Sequence, residues 1–212
     1  MTKSLANKST RRTGKASGIV AVGGRGGKVQ SQDFEFTERA LRGVSGAGIR
    51  KLCVGDIAPD FDLPVLLKGV KGRFRLSEWV AKHKYVLVLF YPLNWEDLSA
   101  RRVVELQAQR EKYVPLRAEF VTVSVDSIMN TTAWEREIGP FDFPMCSDFW
   151  PHGEVCLKYG VLQGGPPQRG SAHTIVFVID DKSTVRFEKS YAQEEVFSVD
   201  ALVAVLNRFE RA

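Results

Sequence analysis

Thiols, one histidine with acids around it, and a short polar stretch after a long apolar run are the parts of this chain whose residue types could do chemistry. Cys53, Cys146 and Cys156 are its three thiols. They form no Cys-x-x-Cys pair and no regular framework, and an odd, sparse set suits free thiols in a reducing compartment. Cys53 follows Arg50 and Lys51, cations that lower a thiol's pKa when they are close in space. Cys146 and Cys156 stand in apolar surroundings, where a free cysteine packs as a small hydrophobe. His152 has Ser147, Asp148 and Glu154 nearby, types that a triad or a metal site would use. There is no Gly-x-Ser-x-Gly elbow, His-x-x-x-His pair or phosphate-binding glycine loop to support a different enzyme. No cofactor and no metal are expected.

The polar stretch is the end of residues 85–99, YVLVLFYPLNWEDLS. Residues 86–91 are all aliphatic or aromatic, which predicts an inner strand covered on both faces. Pro92 has no N–H to give a neighbouring strand and ends the ladder. Residues 100–113 are rich in helix formers, and Ser99 in front of them suits an N-cap, so a helix is expected to begin at Ser99 or the residue beside it. Arg101 and Arg102 at the start of that helix oppose its dipole and read as a solvent- or partner-facing rim, with Arg101 placed to pair with Glu105 one turn on. In open α/β sheets, the crevice beyond a strand's carboxyl end is where ligands sit.

Residues 90–99, FYPLNWEDLS, resemble the active-site loop of the peroxiredoxins, the alkyl hydroperoxide reductase and thiol-specific antioxidant family, whose motif is Pro-x-x-x-Thr-x-x-Cys after such a strand. Residues 54–64, VGDIAPDFDLP, are similar to the opening of that domain. Residues 147–162, SDFWPHGEVCLKYGVL, are similar to the family's corresponding stretch, above all in its single-cysteine, bacterial-type branch. The resemblance covers residues 54–212, makes His152 part of a structural loop, and implies a thioredoxin-like α/β sandwich with a central mixed sheet and helices on both faces. Pro92 matches the motif. The threonine position holds Glu96, the position of the peroxide-attacking cysteine holds Ser99, and the arginine position, three residues before Phe177, holds Thr174.

Those three replacements are chemically consistent. A serine hydroxyl has no accessible oxidation chemistry and stays protonated without a strong base, so Ser99 does not replace a peroxidatic thiol. A carboxylate at 96 disfavours a thiolate at 99, and Thr174 brings no positive charge of its own. The resemblance therefore implies a peroxiredoxin-like protein without peroxidase activity, acting as a binding, assembly or regulatory subunit. The alternative is a thiol-dependent peroxidase whose cysteine is removed at this position or supplied elsewhere. A homodimer or a mixed assembly with another protein is implied as well.

The remaining elements are arranged to position that loop. A strand ending near residue 75 leads to a short helix, LSEWV. Residues 119–125 form the next strand, and a helix with Trp134 leads to Phe143 and Pro144. Residues 174–180 and 184–189 form a hairpin across residues 181–183. Leu202, Val205, Leu206 and Phe209 mark a final helix over 198–209. Residues 164–167, GGPP, read as a plain surface loop.

Of 212 residues, 44% are hydrophobic, enough for one domain with a real core. No apolar run approaches the roughly 18 residues that a membrane span needs. The net charge of +5 is unevenly placed, with +7 in residues 1–50 and −2 in the rest. Nucleic acid is thus not an expected ligand of the domain, while a basic, disordered tail over residues 1–32 suits contact with an anionic partner or an address to the mitochondrion. Residues 33–53 form a lead-in of unassigned structure. The expected setting is intracellular, cytoplasmic or mitochondrial.

Overall fold

The computed structural model describes residues 50–211 apart from 167, 193, 194 and 196. The expected tail and most of the lead-in lie outside the described residues. Seven strands form one sheet: β1 (Asp62–Leu67), β2 (Val70–Arg75), β3 (Tyr85–Phe90), β4 (Ala118–Ser124), β5 (Met145–Ser147), β6 (Ile175–Asp180) and β7 (Val185–Ser190). Their order is β2-β1-β5-β4-β3-β6-β7. β3 runs parallel to β4 and antiparallel to β6, so it sits inside a mixed sheet.

The apolar run that forms β3 is shared between two cores. Val86, Val88 and Phe90 face one cluster, together with Val121, Val123, Phe177 and Tyr159. Tyr85, Leu87 and Leu89 face the other, with Phe120, Val176 and Val178. Helices cover both faces: α1 (Leu76–Val80) and α5 (Glu154–Lys158) lie on the first, and α2 (Asp97–Ala108), α3 (Arg110–Tyr113), α4 (Ile128–Ile138) and α6 (Val199–Arg211) on the second. This is the sandwich that the resemblance implies. The parallel pairs β3–β4 and β4–β5 are each joined through helices, as parallel neighbours must be.

Two local expectations shift, and one short strand, β5, was not expected. The helix after Pro92 starts at Asp97, with Glu96 as its N-cap residue, so Ser99 lies in the first turn and caps nothing. Asp97 explains the earlier start, because a carboxylate in the first turn is favoured by the helix dipole. The helical run expected to reach Tyr113 is broken at Gln109, whose φ of −111° and ψ of 18° offset α3 from α2. β5 has only three residues, too few to show a period beside Pro144.

Residues 50–53 already pack on this fold. Leu52 donates its amide to the Tyr159 carbonyl, and Arg50 makes a two-point pair with Asp56. Gly160 permits the close approach: its φ is +68°, and a Cβ there would collide with the backbone of Arg50 and Lys51. Gly160→Ala is therefore expected to destabilise the protein by about 1–3 kcal/mol, on the scale of a strained non-glycine backbone. Urea denaturation measures the loss, and trypsin should cleave after Arg50 or Lys51 faster in the variant. An unchanged midpoint and cleavage rate would show that the segment is not held by this contact.

Candidate functional site

β3 hands its last backbone bond to β4 through the Tyr91 amide, which donates to the Val123 carbonyl at 3.2 Å, and Pro92 then ends the pairing. The chain must still satisfy its polar groups as it leaves the core, and Asn94 does this. Its amide donates to Asp126 at 2.7 Å, and its side chain accepts from the Tyr91 hydroxyl at 2.7 Å. The same side chain donates to Asn130 at 3.0 Å and to Thr131 at 3.2 Å. Trp95 follows with φ at 64°, its indole N–H donating to Asn130 at 3.1 Å. The loop is thereby tied to the turn after β4, where Asp126 is one of its anchors.

Beyond this loop lies a cleft of about 590 Å³. Pro92, Trp95, Glu96, Asp97 and Arg102 line it from the loop and α2, Gln163 and Gln168 from the loop between α5 and β6, His173 and Thr174 from just before β6, and Tyr191 and Ala192 from just after β7. Ser99 is fully buried behind the wall, its hydroxyl 3.5 Å from a Glu96 carboxylate oxygen. The structure thus gathers at one place all four positions singled out from the sequence: Pro92, Glu96, Ser99 and Thr174.

Arg102 does not lie on a rim. It is 5% exposed, and its guanidinium donates to the Thr174 hydroxyl at 3.0 Å and to the Ala192 carbonyl at 3.3 Å. Burial pushes the guanidinium's pKa down, and the nearby Glu96, Tyr191 and Glu195 act the other way. The reason it was misplaced is that charge alone suggested the exposed face. Its spacing was the better signal, because Glu96, Ser99 and Arg102 stand at i, i+3 and i+6 on one helical stripe. Arg101 does stay exposed, but it does not pair with Glu105, which accepts from Gln109 instead.

Residues 164–166 are exposed, as a surface loop should be, but the glutamines on either side of the stretch reach the cleft. Gln168 donates to the second Glu96 oxygen at 2.7 Å, and Gln163 donates to the Gln168 side chain at 3.1 Å. No local signal marks these glutamines, because the contact spans 72 residues of sequence.

The thiols lie apart from this chemistry. Cys146 and Cys156 are buried in the core, and burial drives both thiols well above their ordinary pKa. Cys53 is exposed, but its neighbour Gly55 bonds to Val185, which pairs with Ile179. Ile179 is four residues along β6 from the cleft end, roughly 13 Å at strand spacing. His152 holds the Gly170 carbonyl at 2.7 Å, a structural contact. Asp148 accepts the amides of Val155 and Cys156 at the start of α5 and is not placed against that histidine by any bond. Among the described residues no cluster of His, Cys, Asp and Glu could hold a metal, and no helix is long and apolar enough to cross a membrane.

Residues 54–188 match the model of the AhpC/TSA family. The chain is 31% identical over 164 residues to alkyl hydroperoxide reductase E of Mycobacterium tuberculosis, covering 73% of this chain and 98% of that protein. It is 31% identical over 146 residues to peroxiredoxin-2 of Bos taurus, covering 66% and 70% respectively. The fold is similar to that of the reduced 2-Cys peroxiredoxin of Plasmodium vivax, with a TM-score of 0.68 and 22% identity over 74% of this chain and 82% of that one.

Tyr191 offers a test of the cleft's dryness, since burial raises its phenol to about 12. A phenol near 10 in the unfolded chain releases its proton first, so the unfolded state gains as pH rises. Stability contributed by neutral Tyr191 should be complete below about pH 10 and should fall as pH approaches 12. Tyr191→Phe should remove one phenolate step near pH 12 and weaken the alkaline loss of stability. If the titration and the alkaline unfolding curve are unchanged, Tyr191 is not buried as described.

Proposed function

The chain belongs to the AhpC/TSA family, and from that premise we propose that it is a peroxiredoxin-like protein without peroxidase activity, one that uses its cleft for binding, assembly or regulation. The observation that carries this reading is the buried Ser99 hydroxyl set against the Glu96 carboxylate. The resemblance assigns position 99 to the attacking cysteine, and peroxide reduction needs a sulfur there that can be ionised and oxidised. Neither buried thiol can take over, because a thiol held neutral in the core is a poor nucleophile. Cys53 is remote from the cleft along the sheet.

The cleft itself is well formed. A rigid loop, a carboxylate, a guanidinium and two amides converge on a cavity of a size that admits a small ligand. The partner in this reading is a second copy of the chain or another protein in a mixed assembly, and three free cysteines suit a reducing compartment, cytoplasmic or mitochondrial. The basic residues of the 1–32 segment remain a proposed contact for an anionic partner.

The test is stopped-flow consumption of hydrogen peroxide and of an organic hydroperoxide by the full chain with all three cysteines reduced. No consumption above a buffer control is expected at neutral pH. Turnover that depends on Cys53, seen as its loss in Cys53→Ser, would instead establish the alternative of a thiol peroxidase whose cysteine is supplied elsewhere.

A further inference from the structure

The sequence places a neutral Thr174 where the resemblance calls for an arginine, yet a guanidinium stands within hydrogen-bond distance of that threonine. It arrives from the opposite wall of the cleft. We propose that Arg102 is the cationic positioning residue of this cleft, supplying from α2 the positive charge that β6 lacks and setting the electrostatic field at position 99. The proposal rests on reading 99 as the position of an absent nucleophile.

Position 99 is flanked on its own helix by Glu96 one turn before and Arg102 one turn after, neighbours whose Cβ atoms lie about 5–6 Å away. The charged and titratable groups around this part of the cleft are Glu96, Asp97 and Arg102 on α2, His173 ahead of β6, and Tyr191 and Glu195 beyond β7. Lys189 on β7 adds a second cation through its contacts with Glu195 and the Tyr191 ring, but Arg102 is the buried one. Its field is strong because the side chain is buried, and low-dielectric surroundings screen a charge weakly. Its aim is fixed because Thr174 and Ala192 each accept one of its N–H groups. A guanidinium pinned at two points cannot turn away from its neighbours, whereas Glu96 is tied to Gln168 and partly exposed. The two charges of the stripe therefore oppose each other at position 99, and the buried one outweighs the more solvated one.

A sulfur placed at 99 reports this field directly. The thiol would lose its proton to solvent, and the thiolate would attack the distal oxygen of a hydroperoxide. The S–O bond forms as the O–O bond breaks, the sulfur is oxidised to a sulfenic acid, and the departing alkoxide takes a proton from water to leave as the alcohol. A single turnover needs no reductant. The cation's part is to favour the thiolate and to steady the charge that develops on the departing oxygen.

The experiment uses the full chain carrying Cys53→Ser, to remove the exposed background thiol, and Ser99→Cys. Thiol pKa is read from iodoacetamide alkylation against pH, and reactivity from single-turnover reduction of an organic hydroperoxide. Adding Arg102→Met is expected to raise the thiol pKa by about one unit or more and to slow alkylation at neutral pH by about tenfold. Arg102→Lys should recover part of that loss, and Glu96→Gln should shift the pKa the other way. Thermal melting of each variant separates a folding defect from a charge effect. If Arg102→Met does not fold, Thr174→Val replaces it, since it keeps the wall's shape and the guanidinium while removing the hydroxyl that aims it; a smaller upward shift is expected. An unchanged thiol pKa in folded Arg102→Met, or in Thr174→Val where that variant stands in, overturns the proposal. Failure of the non-peroxidase reading would appear elsewhere, as peroxide consumption by the native chain.

Discussion

A strand whose two faces are both buried holds a polar side chain only where a partner meets it, and β3 carries none from Val86 to Phe90, a constraint it imposes on everything around it. Its side chains alternate between the two cores, and its edges are paired with β4 and β6. Polar chemistry is thus confined to the point where Pro92 stops the ladder. There the backbone leaves a region in which an unpaired N–H or C=O costs about 1–3 kcal/mol, and it has to find partners at once. Asn94 and Asp126 provide them, which is why the loop has one shape. The cleft follows from that shape, because α2 can begin only where the loop delivers it.

The chemistry of the cleft is then a matter of one helical stripe. Glu96, Ser99 and Arg102 share a face, and each is held from another element: Glu96 by Gln168, Arg102 by Thr174 and Ala192, and Ser99 by burial behind both. A neutral hydroxyl between an acid and a base is electrostatically undemanding. A thiolate in the same place would need the base to prevail, and its burial gives it that advantage.

Most of the fold was legible because it rests on runs and periods. The two-sided burial of β3, the hairpin of β6 and β7, and the apolar face of α6 are all written in consecutive or regularly spaced residues. The position of the site was legible for a different reason, a resemblance carried by residues 90–99 together with the proline that ends the strand. What stayed hidden depends on distance in space. Arg102 looked like a surface charge because nothing near it in sequence announces Thr174, 72 residues later, as its acceptor. Gln168, one residue past the stretch read as a plain loop, gave no signal because its acceptor, Glu96, lies 72 residues away. Ser99 looked like a cap because serine usually is one there, and Asp97 two residues earlier took the start of the helix instead.

Trp95 carries a thermodynamic consequence. A non-glycine residue in the left-handed region costs of order 1 kcal/mol or more, and it persists only where its surroundings over-determine it. Here the indole bond to Asn130 and the Asn94 network do so before any guest arrives. The entropy of ordering this wall has been met by folding itself. A ligand entering beside Trp95 therefore loses little affinity to immobilising the protein, and selectivity among guests rests on their shape and charge rather than on their ability to freeze a loop.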